Sequence, residues 1–420
     1  MQESQLVETR RSDRHRSKRQ LPRYGAGAKA GSARRLWKVS AIFTAALLFL
    51  GTMFGLAWLR LQGNIQVAPD IDNLLDDRPS SSGPLDPNAG QPINLLVIGS
   101  DVRTGEWADK NIEGMRSDAT MLLHISADRK RVDAVSLPRD MRLNIPSCTL
   151  RDGSTTKTAS NRKFNEAFSR GGMAGNVDEA AACTIKTIEG FSDIYIDDYI
   201  VVNFAGFENM VEALDGVPLY VDEDIADKRA DLYIDKGCRL LDGHNALGYA
   251  RARYSLGDGS DISRIDRQQR LISAIVREAL SLNLLTNLPS LYQFLDAATQ
   301  SLSTGPKIGS LSTMAGLAYS LRSIDPAQVT FVTLPFAFQD KEIYFDAAAS
   351  KQIFENIKND RPLGYTEETE APAEPSASPT SEPSATPTQT PTPTPEPTLE
   401  DSRTAADTDD APECTRKNAS

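Results

Sequence analysis

Histidine is scarce in this chain: His15, His124 and His244 are all that its 420 residues hold. Cysteine is hardly commoner, with Cys148, Cys183, Cys238 and Cys414, and no two of them stand as CxxC. A zinc site draws on such ligands at close spacing, so that chemistry is excluded. The phosphate loops GxxxxGK[ST] and GxGxxG are absent, as is the serine elbow GxSxG. Ordinary nucleotide binding and elbow-type serine hydrolysis therefore have no support. The sequence holds no internal repeat of domain size, and its first 38 residues hold no helix-turn-helix pattern.

Charge is present but unevenly placed. The formal net charge is -11, yet Met1 to Lys38 carries eleven Lys/Arg against Glu3, Glu8 and Asp13, a net of +8 that leaves -19 for the remainder. The acidic remainder should repel nucleic acid, so no nucleic-acid partner is expected. Charge then vanishes in "VSAIFTAALLFLGTMFGLAWL", Val39 to Leu59. As a helix this run spans a hydrocarbon core of about 30 Å. A cleaved signal peptide would have a shorter apolar core and a small-residue cleavage site. An uncleaved anchor is expected, with the basic arm 1–38 in the cytoplasm and everything after Arg60 outside. An exported domain permits disulfides. Cys148 with Cys183 is the favoured pair, Cys238 could replace either partner, and Cys414, in the tail, is expected to be free.

The segment 60–92, rich in Pro, Ser, Gly and Asp, reads as an extracellular linker. Globular patterning runs over 93–362. The remainder, 363–420, contains "SASPTSEPSATPTQTPTPTPEPT" and reads as a disordered Pro/Thr/Ser-rich tail, a wall spacer or a carrier of sugars. Within the globular part, apolar runs predict strands at "INLLVIGS", "ATMLLHISA", "RVDAVSLP", "DDYIVVNF", "VPLYV" and "VTFVTLP". Helical spacing marks Asn176–Gly190, "FENMVEALDG", Ser263–Leu282 and Ala347–Lys358. Strands mixed with helices imply an α/β fold built on a central sheet.

Two stretches carry chemistry. Asp101 ends the first strand, and Arg116-Ser117-Asp118 precedes the next; ligands bind beyond such strand ends. Asp101 and Asp118 together could hold a hard divalent cation such as Mg²⁺ (or Mn²⁺). A turn cap at Asp101 and an arginine partner for Asp118 explain the same residues. The second stretch, "YARARYSLGDGSDISRIDRQQR", gathers Arg251, Arg253, Arg264, Arg267 and Arg270. Arg251 and Arg253 share a face only if that piece is extended, whereas Arg264 and Gln268 share a helix face. Forked guanidinium groups from two elements suit a diphosphate. A salt-bridged helix using Asp261, Asp266 and Glu278 is the alternative.

The order of these stretches resembles the LytR-CpsA-Psr family. It is carried by "NLLVIGSDVR", "RSDATMLLHIS", "VDAVSLPRDMRLNIP", "KFNEAFSRGG", "DDYIVVNFAGFENMVEALDGV" and "LLDGHNALGYARARYSLGDGSDISRIDRQQR", from about Ile93 to Leu334. The resemblance implies an α/β/α layered domain with a central mixed sheet and an apolar groove for lipid. It also implies a phosphotransferase that moves an anionic glycopolymer from a polyprenyl-diphosphate carrier onto peptidoglycan at the membrane. Matched residue by residue, Asp101 and Asp118 would be the metal-associated carboxylates. Arg139, Arg251, Arg253 and Arg264 would bind the diphosphate, with Gln268 beside them. Asp261 would orient Arg264 or act as a base, and Arg116, with Arg103, would neighbour the site. A polyprenyl-diphosphate hydrolase and a non-catalytic regulator or lipid-binding scaffold are the rival functions. Ile265, Ile272, Ile275 and Val276 lie behind the arginines, as core or as groove lining.

Overall fold

The computed structural model describes residues 27–68, 71–81, 83, 85, 90–101, 115–228, 231–252, 261–281, 288–322, 324–365, 403–404 and 414–419. Its elements are α1 (Gly27–Asn64), β1 (Gln66–Val67), β2 (Ile93–Ser100), β3 (Ser117–Ile125), β4 (Val132–Ser136), β5 (Arg142–Ile145), β6 (Ala159–Lys163), α2 (Glu166–Gly171) and α3 (Val177–Ser192). Then come β7 (Asp198–Asn203), α4 (Phe204–Ala213), β8 (Val217–Val221), β9 (Ile225–Asp227), β10 (Leu232–Ile234), β11 (Gly237–Leu241), α5 (Gly243–Arg251) and α6 (Asp261–Ser281). The last are α7 (Leu288–Ser301), β12 (Leu302–Thr304), α8 (Leu311–Ser320), β13 (Val329–Thr333), β14 (Phe336–Gln339), β15 (Glu342–Phe345), α9 (Ala347–Lys358) and β16 (Arg403–Thr404).

The chain divides into two units, one ending at Ala57 and the other beginning at Trp58. In the first, the helix exposes its apolar side chains, Phe43, Leu48 and Phe54 among them. The stretch Trp37–Asn64 is long and apolar enough to cross a membrane.

In the second unit the main sheet runs β1-β12-β7-β2-β3-β4-β13-β16 among the described residues. It is mixed: β2 pairs with β7 and β13 with β4 in parallel, while β3 is antiparallel to both neighbours. Side chains alternate between its faces, as the two-residue period of a strand requires. Leu96 and Ile98 of β2 pack with α3 and α9 residues such as Ile185 and Ile353. Ile93 and Leu95 of the same strand pack on the opposite face with Leu317 of α8. Helices therefore cover both faces, which explains why β2 reads as an unbroken apolar run. A further apolar cluster joins α4, α5 and α6 to the β8–β11 ribbon, through Val211, Leu219, Tyr249 and Leu271.

Two segments differ from the sequence reading. Part of 60–92 is folded: Leu61, Ile65, Ile71, Leu74 and Leu75 are buried, and β1 joins the sheet. Its apolar residues are too sparse to give a period. The tail also returns to the domain. Cys414 is bonded to Cys238, so neither Cys414 is free nor Cys238 a substitute partner for Cys148 or Cys183. Those two bond to each other with Cα atoms 5.3 Å apart. A pairing across 176 residues leaves no mark in local spacing.

Candidate functional site

Several elements bring side chains to one end of the sheet. The parallel strands β2 and β7 finish there, with Ser100 opposite Asn203. Because β3 is antiparallel to β2, it starts there, with Ser117 and Asp118. The turn after β4 adds Arg139. Helix α4 begins there, with Asn203 accepting a hydrogen bond from the Gly206 amide at 2.7 Å as its N-cap.

Asp101 closes the mouth of the loop after β2. Its Oδ1 accepts from the Arg116 amide at 2.8 Å, and its own amide donates to the Arg116 carbonyl at 3.3 Å. Burial first, and then the nearby Asp118 charge, push the Asp101 carboxyl above its usual range. Asp118 forms an ion pair with Arg139 Nη1 at 2.5 Å. Beside them, Asp140 accepts from Lys163 at 3.1 Å.

The arginine-rich segment divides its labour. Arg264, in the first turn of α6, is only 3% exposed. Burial, and then the like charge of Arg139, push it down to about 10. Cationic groups so crowded favour an anion between them. Gln268, one turn on, donates to the Ala250 carbonyl at 3.2 Å. Arg251 ends α5 and lays its guanidinium over the Phe204 ring at 4.5 Å from the centroid. Arg267 donates to the Ala252 carbonyl, and Arg270 pairs with Asp222 and Asp266, both architectural contacts. Arg103 and Arg253 lie outside the described residues, as does the side chain of Asp261, whose backbone opens α6. Arg116 contributes its backbone here, and its side chain is exposed.

Asp118, Arg251 and Gln268 share the wall of a cavity of about 300 Å³ that is otherwise largely apolar. Phe207 and Met210 of α4, Ile272 and Ile275 of α6, and Phe294 of α7 line it. Two of the four α6 residues singled out from the sequence thus face the cavity. Ile265 is buried, and Val276, together with Ile272, packs against the cluster of Ala134, Val329 and Phe331. The structure thus brings Asp101, Asp118, Arg139, Arg251, Arg264 and Gln268 to one end of the sheet. Sequence reasoning overlooked Phe204, Lys163 and Gln269, which donates to Ser136 at 3.0 Å and Thr333 at 3.2 Å. Phe204 had a signal, as the aromatic residue that ends a predicted strand. Lys163 and Gln269 had none.

The arrangement is an apolar hole with a cationic rim and two adjacent carboxylates. A family model described as the LytR_cpsA_psr family matches residues 60–361. The polyisoprenyl-teichoic acid–peptidoglycan teichoic acid transferase TagT of Bacillus subtilis is 30% identical over 57% of this chain and 67% of that protein. The transferase of the same description, TagU, of Enterococcus faecalis is 32% identical over 48% of this chain and 58% of that protein. A crystal structure of a Streptococcus agalactiae protein superposes with a TM-score of 0.50, at 22% identity over 64% of this chain and 88% of that one, and so shares the fold. The chain thus aligns with about three-fifths to two-thirds of the length of these two transferases.

Proposed function

This chain belongs to the LytR-CpsA-Psr family, and from that premise we propose that it transfers an anionic glycopolymer from a polyprenyl-diphosphate carrier onto peptidoglycan. The observation that carries the reading is the cavity: an apolar interior with Asp118, Arg251 and Gln268 in its wall, and Arg139 and Arg264 alongside. An amphiphile with an anionic head and a hydrocarbon tail matches both parts.

In this reading the lipid occupies the cavity and the diphosphate lies against Arg139, Arg251 and Arg264, with Arg253 joining them. A peptidoglycan hydroxyl attacks the phosphorus next to the sugar. The bond from that phosphorus to the bridging oxygen breaks, and polyprenyl phosphate leaves. Charge grows on the bridging oxygen as it departs, and fixed guanidinium groups stabilise it without reorganising. Asp261 takes the acceptor's proton or orients Arg264, one turn away on α6. The pH profile of Asp261→Asn separates those roles.

The carboxylates suit Mg²⁺ or Mn²⁺. The raised Asp101 carboxyl beside Asp118 is relieved by a cation, and Mg²⁺ asks for only one or two carboxylates, with water and substrate phosphate completing its shell. Among the described residues no group of three or more His, Cys, Asp or Glu could hold a metal. Asp101 and Asp118 would hold the ion, which supplies charge neutralisation to the diphosphate. The basic arm 1–38 favours a cytoplasmic N-terminus, with the folded unit outside at the carrier's surface.

The test is mass spectrometry of the full-length protein incubated with a decaprenyl-diphosphate glycan, Mg²⁺ and peptidoglycan fragments. A glycan-phosphate-peptidoglycan adduct with released decaprenyl phosphate is expected, and EDTA or Asp101→Asn should suppress it. Released decaprenyl phosphate without adduct makes the protein a hydrolase. Bound lipid with no reaction makes it a scaffold.

A further inference from the structure

The C-terminal residues do something that neither the arginine cluster nor the carboxylates explain. Helices α4 and α6 are two walls of the cavity, and both start at the rim. On α4 the path runs from Phe204, under Arg251, to Leu214 just past the helix end. On α6 it runs from Gln268 through Leu271 and Ile272 to Ile275. The next turn of α6 holds Glu278, a carboxylate only 5% exposed. Gln268 to Glu278 is about 15 Å along a helix.

At that far end sits Arg416. Its guanidinium forms an ion pair with Glu278 at 2.5 Å. The same group donates to the carbonyls of Leu214, Asp215 at 3.1 Å and Gly216 at 2.9 Å. Leu214 caps the C-terminal end of α4, and Asp215 and Gly216 form the turn after it, so a cation there also meets the negative pole of the helix. One side chain thus ties the ends of both walls together. Two residues earlier, Cys414 is bonded to Cys238 on β11, opposite Tyr220 of β8.

We propose that the C-terminal peptide, Cys414–Ala419, is a clasp that closes the deep end of the apolar cavity and so limits how much of a polyprenyl chain it accepts. The inference rests on the carrier reading above. The cavity then holds the head-proximal isoprene units, and the rest of a long chain stays outside. Arg416 is a positioning residue: it fixes the separation of α4 and α6 and need not touch the lipid.

The test measures binding of farnesyl diphosphate and decaprenyl diphosphate to full-length protein in nanodiscs. The parent is compared with Arg416→Gln, the milder Arg416→Lys, and the double variant Cys238→Ser/Cys414→Ser. Partition into the disc is common to all, so the long-to-short affinity ratio, compared between variants, reports the cavity. With the clasp released, farnesyl binding should hold, which also certifies the fold, and the ratio should rise about tenfold, the worth of roughly two more buried methylene groups. An unchanged or smaller ratio, or farnesyl binding lost in variants that still melt cooperatively, would overturn the clasp. A parent that binds neither diphosphate would instead refute the carrier reading, and the clasp with it.

Discussion

Arg264 and Arg270 lie six residues apart on one helix and have opposite duties. Arg264 is buried, and the like charge of Arg139 adds to burial in lowering its pKa, against the opposing pull of Asp118 and Asp140. Arg270 pairs with Asp222 and Asp266. Arg264→Ala should lower transfer by about 10²- to 10³-fold, as for loss of one preorganised donor. Arg270→Ala should cost about 1 kcal/mol of stability and leave kcat/KM within a few-fold. A thermal melt with an initial-rate assay on both variants checks this, and equal activity losses would remove the distinction. Sequence spacing brought these arginines to notice but did not sort them. Periodicity states which residues share a face; whether a guanidinium meets a carboxylate depends on Asp222, which stands 48 residues away.

Elements were more legible than their junctions. The central strands and α9 carry strong apolar patterns, because each is covered on one or both sides, and the structure forms them close to where the pattern puts them. The small β14-β15-β5-β6 sheet and the β8–β11 ribbon were missed as units, since their pairing depends on partners distant in the chain. One junction has a pH signature. Asp198, at the start of β7, accepts from the Tyr199 amide at 3.0 Å and the Ile308 amide, just before α8, at 2.6 Å. Burial outweighs these bonds and raises its carboxyl to about 6. A carboxyl raised by folding favours the folded state while protonated in both states. That contribution is full below the ordinary aspartate range and is lost as pH climbs through about 6, by at most about 3 kcal/mol. The stability advantage of the parent over Asp198→Asn should therefore shrink between about pH 4 and pH 7. Chemical denaturation at a series of pH values reads it directly, and a constant gap would show that folding leaves the carboxyl's pKa unshifted.

At the scale of the whole folded unit, the domain boundary is the sharpest contrast between sequence and structure. Local pattern starts the domain at Ile93, because 60–92 has no periodic apolar face. Yet Ile71, Leu74 and Leu75 belong to the main core. Arg78 reaches further: it pairs with buried Glu189 of α3 at 2.7 Å, donates to the Ile196 carbonyl at 2.6 Å, and stacks on Tyr195 at 4.0 Å. Such contacts are invisible to any windowed reading, since Arg78 and Glu189 are 111 residues apart. Removing one partner of a buried pair leaves the other charge stranded, at a cost of about 3–5 kcal/mol. Five buried apolar side chains, Leu61, Ile65, Ile71, Leu74 and Leu75, are lost as well, each worth about 1.5–3 kcal/mol when fully buried. A domain's whole stability is only about 5–15 kcal/mol. A chain begun at Ile93 should therefore be unfolded or barely stable, whereas one begun at Trp58 should melt cooperatively. Within the longer chain, Arg78→Ala should take away about a third or more of that margin while leaving the arginine cluster in place. Calorimetry on the three proteins decides the point: equal melting temperatures would return 60–92 to the status of a linker.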